Sequence, residues 1–276
     1  MSAVRTLLDE LIDYAGLFPP AGLAMRASVE NYAAYAKGPW NWALGRCIFP
    51  AARLEEFERE CEGLGSNWKL SVLGIPQRME LHCGRVDTLE LKAQTAQEVF
   101  DLAARATGAN VYIEIPVAED PAHLIDAIAT AGVRAKIRTG GVTPDMFPAP
   151  RQVARFLRRC AEAKVPFKAT AGLHHPLRAE YNLTYEPHSA RNVMHGFLNV
   201  FLAAMVLYFS GREQDAVATL EETSVQAFHV GEDEIRWHEH RLTSAQIQEA
   251  RSNFAISFGS CSFDEPIQDL QTLGWL

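Results

Sequence analysis

Lys136 and Lys168 each lie in a short β-prone run, VRAKIRT at 133–139 and PFKATA at 166–171, and each run leads into a turn of small residues, Thr139-Gly140-Gly141 and Thr170-Ala171-Gly172. An ammonium held in a partly dry site beside another cation gives up its proton more readily, and the free amine attacks carbonyl carbon to form an imine. Alternation along a strand puts Lys136 and Arg138 on one face and Ala135 and Ile137 on the other. Further candidates are Glu90 and Lys92 in TLELK, Glu114 in NVYIEIPV, and His174-His175 after the second turn. The same lysines could instead close a structural ion cluster with Glu90 or Glu114.

A second constellation is histidine-based. His174 or His175, His188, His195 and Glu114 offer ligands for a divalent metal, although none of these histidines falls in an HxH or HExxH spacing. His174 and His175 are adjacent, so on extended chain they face opposite ways, and His195 falls in a stretch that reads as helix. The third feature is Gly259-Ser260-Cys261-Ser262, between a strand and a helix. Free N–H groups and the Ser260 and Ser262 hydroxyls could cradle an anion there, against the charge of Asp264 and Glu265. The alternative is a capped turn with a buried thiol.

Eight β-rich runs are available to position these groups: 46–50, 69–75, 88–92, 110–117, 133–139, 166–171, 225–230 and 254–258. Most are followed by amphipathic helical stretches such as EDPAHLIDAIATAG and APRQVARFLRRCAEAK. Strands alternating with crossover helices predict an α/β fold, a (β/α)8 TIM barrel occupying 1–276 as one domain. Residues 1–44 read as an N-terminal helical segment, and 172–211 as a long loop and helix inserted after the sixth strand. FHVGEDEIRWHEHRL reads as a hairpin, and Arg151, Arg155, Arg158 and Arg159 as the solvated face of an outer helix.

Composition bounds the function. With 48% hydrophobic and 22% charged residues the chain is too apolar for disorder, and its net charge of -8 opposes binding to nucleic acid or anionic membrane. Five widely spaced cysteines without a Cys-x-x-Cys pair indicate reduced thiols and a cytoplasmic location. The longest apolar run, Met194 to Phe209, is shorter than the ~20 residues of a membrane span. It reads as a buried helix or, over Phe197 to Phe209, as a seam for a homo-oligomer.

KIRTGG at 136–141 and PFKATAGL at 166–173 resemble the two lysine-bearing strand ends of the deoxyribose-phosphate aldolase family. That resemblance spans 133–173 and implies a barrel of imine-forming aldolases, with Lys136 as the imine-forming residue and Lys168 as the neighbouring cation. Arg138 and the His174-His175 pair lie outside the family pattern. The lysine strands fall fifth and sixth, one early, which a further strand before residue 45 would repair. Glu90 or Glu114 replaces the family's acid by position only.

The leading expectation is a cofactor-free lyase acting on a small, anionic, oxygenated carbonyl compound. Lys136 would attack, Lys168 and Arg138 would supply charge, and Glu114 or His174 would carry protons. Arg138, His175, Arg178, Glu90, Lys92, Ser260 and Ser262 would line the substrate site. Two alternatives stand beside it: a metal-dependent hydrolase or isomerase, and a non-catalytic binding or scaffold barrel.

Overall fold

A computed structural model describes residues 2–276. The apolar runs that carry the candidate lysines and carboxylates become parallel strands, each buried against helices on its outer side. Eight strands close the barrel: β1 Ile12–Tyr14, β2 Leu44–Pro50, β3 Trp68–Leu73, β4 Gly84–Lys92, β5 Asn110–Glu114, β6 Arg134–Arg138, β7 Phe167–Thr170 and β8 Ala255–Ser260. Consecutive strands pair in parallel, and β8 closes on β1 with Ile12 opposite Phe258. The fold is therefore a (β/α)8 TIM barrel, with ten α-helices among the described residues.

One expected strand is replaced. Residues 225–230 do not enter the barrel: Phe228–Val230 pairs antiparallel with Glu234–Trp237, which pairs with His240–Thr243, in a separate three-stranded sheet. The expected hairpin is part of that sheet. The missing barrel strand is β1, inside the segment read as helical, where only Ala3–Leu8 and Met25–Lys37 are α-helix. Leu11-Ile12-Asp13-Tyr14 has an acid within an apolar run because the strand is buried on both faces and Asp13 points into the barrel. With β1 counted, Lys136 and Lys168 stand on the sixth and seventh strands.

The crossover from β3 to β4 also departs from simple alternation, since it contains no helix and only a short strand, Glu80–Leu81, folded back on β4. The insertion after Lys168 therefore follows the seventh strand. It opens with an antiparallel pair, Ala179–Asn182 with Arg191–Met194, and the helix begins only at Phe197. His195 consequently precedes the helix and is not within it. Phe197–Ser210 is apolar nearly all round because it packs inside its own chain, against Glu213–Glu221, Pro150–Glu162 and β8. That removes the need for an oligomer seam at its buried residues.

Of the basic stretch, Arg155 donates to the carbonyls of Val117 and Ala118 and Arg159 pairs with Asp120, so the face ties Pro150–Glu162 to the β5 loop as well as meeting solvent. At the amino ends of the strands, Arg251 is buried and donates to the carbonyls of Leu7 (2.8 Å), Asp9 (2.8 Å), Ala255 (2.5 Å) and Ile256. It joins β8 to the chain leading into β1, where the barrel closes. Arg251→Ala would strand several buried carbonyls. A loss of roughly 3 kcal/mol or more is expected in urea unfolding, and an unchanged midpoint would contradict the clamp.

Candidate active site

Strand register assembles the charged groups. Lys92 lies opposite Glu114, Glu114 opposite Lys136, Lys136 opposite Lys168, and Lys168 opposite Ser257, so one row crosses five adjacent strands from β4 to β8. Neighbours in such a row stand ~5 Å apart, within reach of one another's side chains. Glu90, two residues before Lys92, projects into the same interior from β4. The expected alternation holds on β6: Lys136 and Arg138 face inward while Ala135 and Ile137 are fully buried on the outer side.

Glu90 is the hub. Its Oε1 accepts from Lys168 Nζ at 2.6 Å and from Ser71 Oγ at 2.7 Å, while Oε2 lies 2.8 Å from Lys136 Nζ. Lys168 also donates to Asp13 Oδ2 at 2.7 Å, an oxygen that accepts from Ser257 Oγ as well; Asp13 Oδ1 accepts the Arg46 N–H. Burial opposes the Glu90 charge, but the two ammonium groups outweigh it and hold the carboxyl well below the usual range. Burial likewise works against the Lys168 ammonium, and Asp13 and Glu90 more than compensate, so this lysine is held cationic above the ordinary lysine range.

Lys136 is bound differently. Its Nζ is 2.8 Å from Glu90 Oε2 and 2.8 Å from Glu114 Oε2, an ion pair to each. Glu114 Oε1 faces Arg138 Nε at 3.4 Å and Lys92 Nζ at 3.3 Å. Burial raises the Glu114 carboxyl, but Lys136, Arg138 and Lys92 together draw it below the usual range.

Lys136 and Glu90 form part of the lining of a cavity of about 700 Å³ at the carboxyl ends of the strands. Phe18, Pro19 and Pro20 belong to its wall, so the chain that follows β1 forms part of the mouth. The strand pair after β7 forms a flap over the cavity, bringing Tyr181, Tyr185 and Arg191 to it. The two small-residue turns meet beneath that flap. A Cβ on Gly140 would lie 2.5 Å from the Phe147 ring and 3.0 Å from Gly172 Cα, and Gly172 has φ +72°, so both positions require glycine.

Two pairings along the wall were not foreseen. His174 Nδ1 is 2.9 Å from Glu265 Oε2 and its Nε2 4.0 Å from Cys261 Sγ; His175 Nδ1 is 2.6 Å from Asp269 Oδ2, and its ring stacks on Tyr181. Both adjacent histidines thus reach acids of the last helix, Asp264–Thr272. Burial opposes protonation of His174, but hydrogen bonding to Cys261 and Glu265 prevails and raises it to about 9.

Lys136, Lys168, Glu90, Glu114 and Arg138 come together as expected, and His174 and His175 line the same cavity. Four other candidates do not. Arg178 turns away, with Nη1 3.4 Å from His195 Nδ1 and its N–H bonded to Asn199, because the chain there is already packing onto the Phe197–Ser210 helix. Lys92 is mostly exposed and borders a second hollow of about 420 Å³ with Glu114 and Arg138. Ser260 Oγ accepts from Ser262 N–H and Ser262 Oγ from Glu265 N–H, so these hydroxyls cap a turn and leave the wall to Gly259 and Cys261.

The metal set is dispersed: His195 Nε2 lies 2.8 Å from the Pro148 carbonyl, His188 sits on the flap loop, and Glu114 faces cations. Among the described residues no group of three His, Cys, Asp or Glu is placed to hold a metal ion. Asp13, Ser71, Ser257 and Tyr185 escaped the sequence reading, in which Glu265 figured only as a charge opposing an anion. Only Asp13 had a signal, a charge inside an apolar run.

Fold and site together define a TIM barrel whose carboxyl-end cavity has a lysine and a glutamate in its floor, the region where barrels of this kind carry their chemistry. Compared with protein families and with curated proteins, the chain matches no family model and no curated protein. No helix among the described residues is long and apolar enough to cross a membrane.

The histidines set a pH dependence of stability. His174 is raised from 6.5 to about 9, so its contribution is complete below pH 6.5 and is lost as pH rises toward 9. His195 is lowered from 6.5 to about 4, by burial first and by Arg178, so its contribution is present above pH 6.5 and is lost as pH falls toward 4. Each limb is worth on the order of 3 kcal/mol. Thermal unfolding against pH should flatten on the alkaline side in His174→Gln and on the acid side in His195→Gln. An identical alkaline slope in wild type and His174→Gln would exclude the first assignment.

Proposed function

We propose that the chain is an imine-forming lyase acting on a small oxygenated carbonyl compound, with Lys136 as its nucleophile. The observation that carries this reading is the asymmetry between the two lysines. Lys168 is buried and locked by hydrogen bonds to two carboxylate oxygens, Asp13 Oδ2 and Glu90 Oε1, whereas Lys136, between Glu90 and Glu114, opens on the cavity. Asp13, Glu90 and Glu114 are balanced by Lys168, Arg138 and Lys92, so a neutral Lys136 amine leaves no carboxylate uncompensated.

In this reading Glu114 takes the Lys136 proton, and the amine forms a C–N bond to the substrate carbonyl carbon. The carbonyl oxygen takes up two protons through Glu114, the one first drawn from the ammonium and one released by the attacking nitrogen, and leaves as water. The resulting iminium accepts the electron pair of the carbon–carbon bond that breaks, and the departing fragment's hydroxyl gives its proton to Glu114 as that fragment becomes a carbonyl compound. Lys168 keeps Glu90 ionised and fixed beside the reacting nitrogen, a positioning role. Arg138, with Arg191 on the flap in place of Arg178, supplies positive charge for a substrate carboxylate or phosphate. The resemblance to the deoxyribose-phosphate aldolases, now with its lysines on strands six and seven, supports the same class.

Borohydride reduction in the presence of small aldehydes and ketoacids should add one substrate mass to a peptide containing Lys136. The adduct should vanish in Lys136→Ala, and Lys168→Met should trap at least tenfold more slowly. Absence of any adduct in folded protein, or an adduct retained in Lys136→Ala, would refute the mechanism.

A further inference from the structure

Cys261 shares the cavity wall with a histidine and an acid arranged in series. His174 Nε2 faces Sγ at 4.0 Å, and His174 Nδ1 is held by Glu265 Oε2 at 2.9 Å. Tyr185, reaching over from the flap, donates to Glu265 Oε2 at 3.0 Å and touches Sγ at 3.8 Å. A carboxylate that orients an imidazole whose other nitrogen faces a thiol is the arrangement that activates a cysteine nucleophile. Cys261 lines the cavity, whereas the other four cysteines are buried away from it.

We propose that Cys261, with His174 and Glu265, is a second nucleophilic site of this cavity, one that captures small aldehydes as hemithioacetals. His174 takes the thiol proton at Nε2, and Glu265 stabilises the imidazolium through Nδ1. The sulfur adds to the aldehyde carbon: a C–S bond forms, the carbonyl π bond breaks, and the oxygen takes the proton back from Nε2. The product is a neutral hemithioacetal beside a neutral imidazole, and the reverse steps release the aldehyde unchanged. Acyl transfer is the less suitable chemistry, because it needs free donors for a developing oxyanion. In the nearest turn two donors are already engaged: Ser262 N–H bonds Ser260 Oγ, and Glu265 N–H bonds Ser262 Oγ. This inference stands without the imine reading, since no step involves Lys136.

The raised His174 agrees with the geometry, since the proton it takes from the thiol is held between the Cys261 sulfur and the Glu265 carboxylate. Iodoacetamide with peptide mapping at neutral pH should label Cys261 first among the five cysteines. The rate should fall about tenfold in His174→Ala and by a smaller factor in Glu265→Gln, with folding checked by circular dichroism. Glycolaldehyde should slow the labelling competitively while glycerol does not. Because an imine at Lys136 could also obstruct the cavity, the competition is repeated in Lys136→Ala, where protection should persist. Equal labelling rates in wild type, His174→Ala and Glu265→Gln, or protection that disappears in Lys136→Ala, would overturn the proposal. Neither result bears on borohydride trapping at Lys136.

Discussion

One carboxylate shared by two buried ammonium groups organises the interior of this barrel. Glu90 has an oxygen for each lysine, 2.6 Å from Lys168 and 2.8 Å from Lys136. Three carboxylates and two lysines inside a barrel would be prohibitively costly one at a time, since each charge loses its hydration. Together they are tolerable because each ammonium lies against two carboxylate oxygens and two serine hydroxyls fill remaining acceptor sites. Removing Glu90 would deprive both buried ammonium groups of a counter-charge at once. The arrangement therefore constrains every strand that contributes to it.

The same constraint separates the two lysines in role. Lys168 lies deeper, hydrogen-bonded to Asp13 and Glu90, and its charge is a fixed part of the scaffold. Lys136 stands at the boundary between that network and the cavity, where a ligand carbonyl could reach it. The difference arises from neighbours and not from residue type. On the β7 side, β8 and β1 supply Ser257 and Asp13, whereas on the β6 side Glu114 is already divided among Lys136, Arg138 and Lys92.

Above this floor the mouth is built from segments that have little regular structure of their own. The turns after β6 and β7 approach closely enough to exclude a Cβ at Gly140 and Gly172. The flap carries Tyr181 and Tyr185 across to the last helix, where His174 and His175 meet Glu265 and Asp269. The cavity thus has a charged lysine floor and a thiol–imidazole–carboxylate wall, each held by different elements.

Local sequence determined the runs that become strands, because burial on both faces demands apolar residues at nearly every position, and it determined that Lys136 and Arg138 share a face, because the side-chain period of a strand is two. It also exposed the paired lysine turns, since glycine and small residues at a strand exit mark a close approach. It could not tell that IDY is a three-residue strand or that FHV is not a barrel strand, as such short segments owe their conformation to the sheet they join. Nor could it bring Asp13 to Lys168, 155 residues apart, or Glu265 to His174, 91 residues apart. Those meetings come from closure of the barrel, which alone decides which distant side chains share one dry interior and must neutralise one another there.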